Sequence, residues 1–183
     1  MIISPVEFLK DELKGKEIIN KATRIGDLKN LFKDELQRMR VPQHKIVYEV
    51  QAYLPVDEGT LGGLFFGITK IHSGKVGNEY FITRGHFHEV ADRAEYYWGI
   101  KGQGILILMD QSRKIRAEIM QEGSLHYIPA YTAHRVANTG IDTLSFGACW
   151  PADAGHNYAE IAAHGFSGRV VEINGLPQLI TED

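Results

Sequence analysis

The sequence predicts an all-β fold, a single sandwich or barrel domain, with a helical segment at its N-terminus. Three observations carry that reading. From Lys45 onward the chain breaks into many short runs rich in β-branched and aromatic residues, most of them separated by turn glycines. Before that point one apolar stripe recurs at steps of three and four residues. The length, 183 residues, with 44% hydrophobic and 23% charged residues, suits one domain with its own core.

The stripe consists of Ile25, Leu28, Leu31, Phe32, Leu36 and Met39. It marks one face of a helix, so residues up to about 43 read as helical, with Pro42 as the stop. Residues 1–44 are therefore expected to form a helical arm. Strands are expected over 46–54, 64–71, 79–83, 94–101, 105–109, 116–120, 125–128, 134–138 and 143–150. A short helix over 157–164 would end at Gly165, and 166–174 is the last expected strand. Residues 45–174 make up the barrel, and the tail over 175–183 is expected to be loosely held.

Composition excludes several function classes. The formal net charge is −3 and there is no basic tract, so electrostatic binding of nucleic acid is not expected. No apolar run approaches the length of a membrane span. The first residues lack a basic start followed by an apolar stretch, so no secretory leader is expected. Cys149 is the only cysteine and cannot close an internal disulfide. These features fit a reducing cytoplasm.

Chemistry concentrates in His86-Phe87-His88, Glu95 and His134. Residues two apart on an extended chain share a face, so His86 and His88 aim the same way. Glu95 opens the next apolar run, and His134 comes from a segment well downstream. Three imidazoles and a carboxylate suit one divalent transition metal, whether iron, manganese, zinc, copper or nickel, rather than calcium. His44, His72, His126 and His164 have no such spacing partner and are read as ordinary residues.

The pattern resembles the cupins, jelly-roll β-barrels whose first motif carries His-x-His, Glu and Gly. Gly123, Pro129, His134 and Asn138 fit the second cupin motif, and Glu95 to Gly102 fit the end of the first. Two departures narrow the match: the gap between His88 and Glu95 is long, and Tyr131 replaces a glycine. Both resemble the metal-dependent, archaeal-type phosphoglucose isomerases within the cupins. The resemblance is carried by Gly74-Lys-Val-Gly77, Thr83-Arg-Gly-His-Phe-His88, Asp92-Arg-Ala-Glu95, Pro129-Ala-Tyr-Thr-Ala-His-Arg135 and Pro151-Ala-Asp-Ala-Gly-His-Asn-Tyr158. The last lies outside the general cupin signature and is the most specific. Arg84 stands where the family usually has Lys, and Trp150 where an archaeal member has Tyr.

The resemblance implies a single-domain cupin that interconverts glucose 6-phosphate and fructose 6-phosphate, with His86, His88, Glu95 and His134 holding one metal. Iron is favoured, with manganese, zinc or nickel as alternatives. It implies a sugar-phosphate substrate held at Thr69, Thr83 and Gly85, and a homodimer. The helical stripe would cover a sheet edge in that dimer or pack on its own barrel. Tyr97 shares the face of Glu95 and reads equally as a core aromatic or a substrate contact, and Trp150 is a further candidate contact. His156 and Tyr158, on a turn-rich segment, are candidate catalytic groups, His156 for ring opening. Glu95 has two open roles: a firm metal ligand, with a hydride shift between C1 and C2, or a general base working through a cis-enediolate, the role favoured here. The rival functions on this scaffold are a non-heme iron oxygenase and a non-catalytic sugar- or metal-binding cupin.

Overall fold

The computed structural model describes residues 2 and 4–181. The chain begins with strands β1 (Glu7–Leu9), β2 (Glu12–Lys14) and β3 (Ile18–Arg24), then a 3₁₀ turn at Ile25–Asp27 and helix α1 (Glu35–Arg40). Next come β4 (Ile46–Tyr53), β5 (Leu64–Ile71), β6 (Lys75–Val76), β7 (Glu79–Tyr80), β8 (Glu95–Lys101), β9 (Gln103–Asp110) and β10 (Ile115–Gln121). The chain continues with β11 (Leu125–Ile128), β12 (Thr132–Asn138), β13 (Leu144–Pro151), α2 (Tyr158–His164), β14 (Gly168–Ile173) and β15 (Leu176–Thr181).

All strand pairs are antiparallel. A six-stranded sheet in the order β11-β8-β13-β5-β4-β3 faces a three-stranded sheet β10-β9-β12, and β15-β14-β7-β6 forms a four-stranded sheet beside them. This is the mostly β, jelly-roll cupin architecture expected from the sequence. Alternation sorts the side chains. On β8, Glu95, Tyr97 and Gly99 are buried while Tyr96 is exposed. The core between the sheets is built from Ile71, Leu106, Leu108, Val136, Leu144 and Phe146, all nearly without exposure. Trp98 lies on the opposite face, and Gly147 makes room for it: a Cβ there would fall 2.2 Å from the indole ring.

Two expectations are corrected. The N-terminal segment is not a continuous helix, because 7–24 holds three strands and, among the described residues, the only α-helix before β4 is Glu35–Arg40. Ile25, Leu28 and Phe32 do bury in the core, but in a turn and loop, whereas Leu36 and Met39 are 71% and 62% exposed. The residue α1 buries is Arg38, whose guanidinium is spent on Glu35, the Ile25 carbonyl and Gln43. The apolar stripe thus packs on its own domain, in part, and does not continue as one helical face. The tail is also not loose through its length: β15 pairs with β14 from Gly168↔Thr181 to Ile173↔Leu176. The turn Asn174-Gly175, both at positive φ, reverses the chain into that hairpin.

One buried carboxylate ties the two ends of the chain to the barrel. Glu79 is 4% exposed and accepts from the Lys33 backbone N–H and from Arg169, each at 3.0 Å. Arg169 also donates to the Leu31 carbonyl at 2.8 Å. Removing a buried ion-pair partner leaves the other charge desolvated, so Glu79→Ala should cost about 3 kcal/mol of stability. Urea denaturation of wild type and variant measures this directly, and a difference below about 1 kcal/mol, the level of an exposed pair, would show that the clamp carries no load.

Candidate active site

His86, His88, Glu95 and His134 converge, with their ligating atoms all within 4.8 Å of one another. Glu95 lies at the start of β8 and His134 on β12, so the two facing sheets supply one each. His86 and His88 come from the loop between β7 and β8, where His86 forms an isolated antiparallel bridge with His134. The two loop rings point into the same space, with centroids 5.7 Å apart. Gly85 lets this loop approach β12. Its φ is +78°, and a Cβ there would sit 3.0 Å from Arg135 Cβ and 3.2 Å from the His134 carbonyl.

Electrostatics sharpen the cluster. Burial alone would push the Glu95 carboxyl up, but His134 and then His88 outweigh it and hold the group at about 2. Burial, reinforced by His134, His156 and His88, holds His86 well below the usual imidazole range. His88 is pulled down by burial and, more strongly in sum, up by Glu95 and the Arg93 carbonyl. Glu95 Oε1 stands 2.6 Å from His134 Nε2 and 3.3 Å from His88 Nε2. These close approaches are not aligned hydrogen bonds: His86 Nε2, Glu95 Oε1 and His134 Nε2 are buried without a hydrogen-bond partner. Buried polar atoms left in this state are uncommon.

The outer ring nitrogens explain what the inner ones are for. His88 Nδ1 donates to the Arg93 carbonyl at 2.8 Å, and His134 Nδ1 faces the Thr132 carbonyl at 3.4 Å. A proton on Nδ1 turns the Nε2 lone pair inward, the arrangement found behind metal-bound histidines. Ligands about 2.1 Å from one ion lie at most about 4.2 Å apart, close to the spread here. The donor set therefore fits a divalent transition metal, which these four residues could hold.

His86, Glu95 and His134 of the cluster line one wall of a cavity of about 370 Å³ between the sheets. Every further candidate from the sequence lines it: Thr69, Thr83, Gly85, Tyr97, Trp150, His156 and Tyr158. Tyr97 meets the His134 ring edge-on at 5.5 Å and packs on Phe146 at 4.9 Å, so it is both core and cavity wall. Trp150 packs edge-on against Phe65 and lies over Gly67, where a Cβ would come within 3.1 Å of the indole. His156 and Tyr158 stack at 5.7 Å with an interplanar angle of 4°, and both rings face His86. Burial lowers the His156 pKa and raises that of Tyr158 to about 12, so at neutral pH the imidazole can accept a proton while the phenol keeps its own and can donate a hydrogen bond. Thr83 Oγ1 accepts from the Val136 N–H at 3.0 Å, which leaves its own hydrogen free to donate.

Among the lining residues that the sequence does not mark as site candidates are Lys21 of β3, Tyr48 of β4, and Glu58. Lys21 fell inside the segment read as helix. Its signal was the period-two run Ile19-x-Lys21-x-Thr23, hidden by the stronger stripe beginning at Ile25.

Arg93 joins two of the sequence motifs. Its guanidinium grips Asp153 through both carboxylate oxygens, at 2.6–3.0 Å, while its carbonyl fixes His88. One residue thus orients His88 and anchors the turn that carries His156.

These motifs belong together in one family. The chain matches the family described as Glucose-6-phosphate isomerase (GPI) over residues 22–179. The chain belongs to that family. The glucose-6-phosphate isomerase of Thermococcus litoralis is 44% identical over 154 residues, spanning 83% of this chain and 80% of that protein. That of Pyrococcus horikoshii is 43% identical over 173 residues, 93% of this chain and 89% of its own. A putative glucose-6-phosphate isomerase 1 of Rhizobium meliloti is 39% identical over 153 residues, 81% and 71% of the two chains. Among solved structures, the oxalate decarboxylase of Bacillus subtilis is a distant likeness: TM-score 0.46 and 18% identity over 60% of this chain and 26% of that one.

The Arg93–Asp153 pair gives a test of the site's construction. Asp153→Ala should release the turn and displace His156, lowering turnover by about tenfold or more, since errors of an ångström in placement have effects of that order. Steady-state kinetics with fructose 6-phosphate measure it, and wild-type kcat in the variant would mean that the turn holds itself.

Proposed function

We propose that this cavity is where the chain interconverts glucose 6-phosphate and fructose 6-phosphate, with His86, His88, Glu95 and His134 holding one divalent metal. The observation that carries the reading is the convergence of unpartnered Nε2 and carboxylate atoms on one wall of a cavity whose lining also includes the hydroxyls of Thr69 and Thr83 and the rings of Tyr97 and Trp150. When bound, the metal supplies a Lewis-acid charge that polarises the sugar carbonyl. Iron is our choice of ion for this donor set, with manganese, zinc and nickel as the alternatives.

The protein's own groups divide the remaining work. Thr69, Thr83 and the Gly85 backbone N–H take the phosphate. Tyr97 and Trp150 shape the wall against which the sugar lies. His156, neutral at physiological pH, exchanges a proton with the ring oxygen to open the sugar, and Tyr158 orients His156 by stacking. The reading also places the enzyme in the cytoplasm, where glycolytic sugar phosphates are met, as a homodimer. Exposed Leu125 and Tyr127 on edge strand β11, with Tyr96 beside them, offer a surface for the second copy.

The metal assignment predicts that His88→Ala and His134→Ala fold but lose the ion. Elemental analysis should show wild-type protein with about one metal per chain and both variants nearly empty, with far-UV circular dichroism unchanged. Full occupancy in both variants would sink the assignment, as would wild-type protein that never takes up stoichiometric metal.

Glu95 is the carboxylate in contact with the cluster, and we propose that it carries the proton between C1 and C2. Its pKa of about 2 favours a second route, because so weak a base removes protons poorly at neutral pH. In that route hydrogen moves with its electron pair directly between the two carbons, and Glu95 stays in place. Turnover in deuterated water separates them: proton transfer through Glu95 puts solvent deuterium into the product, and a direct shift puts in none. Glu95→Gln, with metal content confirmed, should lose at least about 100-fold in kcat if Glu95 is the base. Near-wild-type turnover would remove it from that role.

A further inference from the structure

We infer that Lys21, on strand β3, is a specificity-determining residue of this site, an ammonium that recognises the substrate's phosphate dianion. The inference rests on the proposed phosphate position at Thr69, Thr83 and Gly85.

Register places Lys21. It pairs with Val50 on β4, and Val50 pairs with Thr69 on β5. Facing residues in neighbouring antiparallel strands put their side chains on the same side of the sheet. Lys21, Val50 and Thr69 therefore stand in one row, and all three line the cavity. Strands lie about 4.8 Å apart, so Thr69 stands about 9.6 Å from Lys21, two strands away, and the four-methylene stem of lysine spans more than half of that distance. A stem laid over Val50 would bring its ammonium toward a phosphate held at Thr69.

Charge pairing separates Lys21 from the other lysines of this region. Lys70, on the outer face of β5, pairs with Asp11 and Glu12, and Lys75 pairs with Glu172 at 2.7 Å. Among the described residues Lys21 has no carboxylate partner. Arg84, also on the cavity wall, donates to the Asp27 carbonyl, a neutral acceptor that leaves its charge uncancelled. Two positive charges thus face the end of the cavity that holds Thr23, Tyr48 and Thr69. The acidic lining residues lie away from that end: Glu95 in the metal-facing cluster, and Glu58 where its neighbour Gly59 is hydrogen-bonded to Ala152. A substrate anionic at one end only is oriented by that polarity.

The test uses the metal-loaded enzyme and Lys21→Met, which keeps the stem and removes the charge. Lys21 is exposed on an edge strand, so the variant should fold, and its melting temperature checks that. The KM for fructose 6-phosphate should rise about tenfold, as for one charge-assisted contact, with kcat within about twofold. Competitive inhibition by inorganic phosphate should weaken by a similar factor, and the fall of kcat/KM with added salt should become shallower. Lys21→Arg should restore both constants. Thr83→Val is run in parallel. If Thr83→Val weakens phosphate inhibition and Lys21→Met leaves it unchanged, the phosphate position stands and the role of Lys21 is overturned. If neither variant changes it, the phosphate position itself is wrong, and the inference falls with it. A Lys21→Met variant that loses kcat at unchanged KM also overturns the inference, because an ammonium bound equally to substrate and transition state changes only KM.

Discussion

An ionised carboxylate with almost no solvent exposure is the constraint around which this molecule is arranged. Glu95 is 5% exposed, and burial by itself would protonate it. The charge survives because His134 and His88 lie against it, and the three imidazoles of the cluster come from parts of the chain that only the tertiary fold brings together. Each has its own support. The Arg93 carbonyl aims His88, the Thr132 carbonyl faces His134, and the backbone bridge to His134 places His86. A cluster whose inner nitrogens lack partners is unfavourable as an end in itself. It is understandable as a receptor for a cation, which would satisfy all four donors together.

The same constraint explains why the sequence motifs occur as a set. The Asp92-Arg93 pair lies just before Glu95, and Asp153 just before His156. In space they form one joint, because Arg93 holds Asp153 with its guanidinium and His88 with its carbonyl. Loss of that joint would loosen a metal-facing imidazole and the His156 turn together. Gly85 belongs to the same logic: at positive φ, a Cβ between the His86 loop and β12 would be strained and would crowd Arg135 and the His134 carbonyl. What reads along the chain as several short motifs is one piece of packing.

The cluster was legible from sequence because its signals are local or nearly so. His86 and His88 share a face by the period of two, and strands β8, β11, β12 and β13 follow their β-branched and aromatic runs closely. The N-terminus was not legible, for a physical reason. Ile25, Leu28 and Phe32 recur at helical spacing, and all three bury, but as a turn and loop laid on the core. Hydrophobic spacing reports which residues bury and does not by itself report the backbone that buries them. Arg38 completed the deception: a charged residue buried on α1 is paid for by three hydrogen-bonding partners, none visible in the stripe. The hairpin β14–β15 was missed because its second strand, with Pro177 and Gln178, has little apolar character, and its pairing comes from backbone register.

The cavity lining shows the same limit at finer scale. Tyr48 and Lys21 face it only because β3, β4 and β5 pair in a particular register, and register is a property of strand pairs that no single run of residues records. Once the register is known, chemistry follows from parity alone. On β4 the residues facing inward are Tyr48, Val50 and Ala52, on β5 they are Phe65, Gly67 and Thr69, and on β13 they are Phe146, Ala148 and Trp150. The row through Gly67 and Ala148 is built from the smallest side chains, and the indole of Trp150 leans into the space Gly67 leaves. The row through Val50, Thr69 and Phe146 is bulkier and ends, across β3, in a lysine. A polar, asymmetric substrate would therefore meet a small-walled aromatic region beside the metal-facing imidazoles and a hydroxyl and ammonium lining further along the sheet. That gradient in side-chain size and charge arises from one antiparallel register read across four strands.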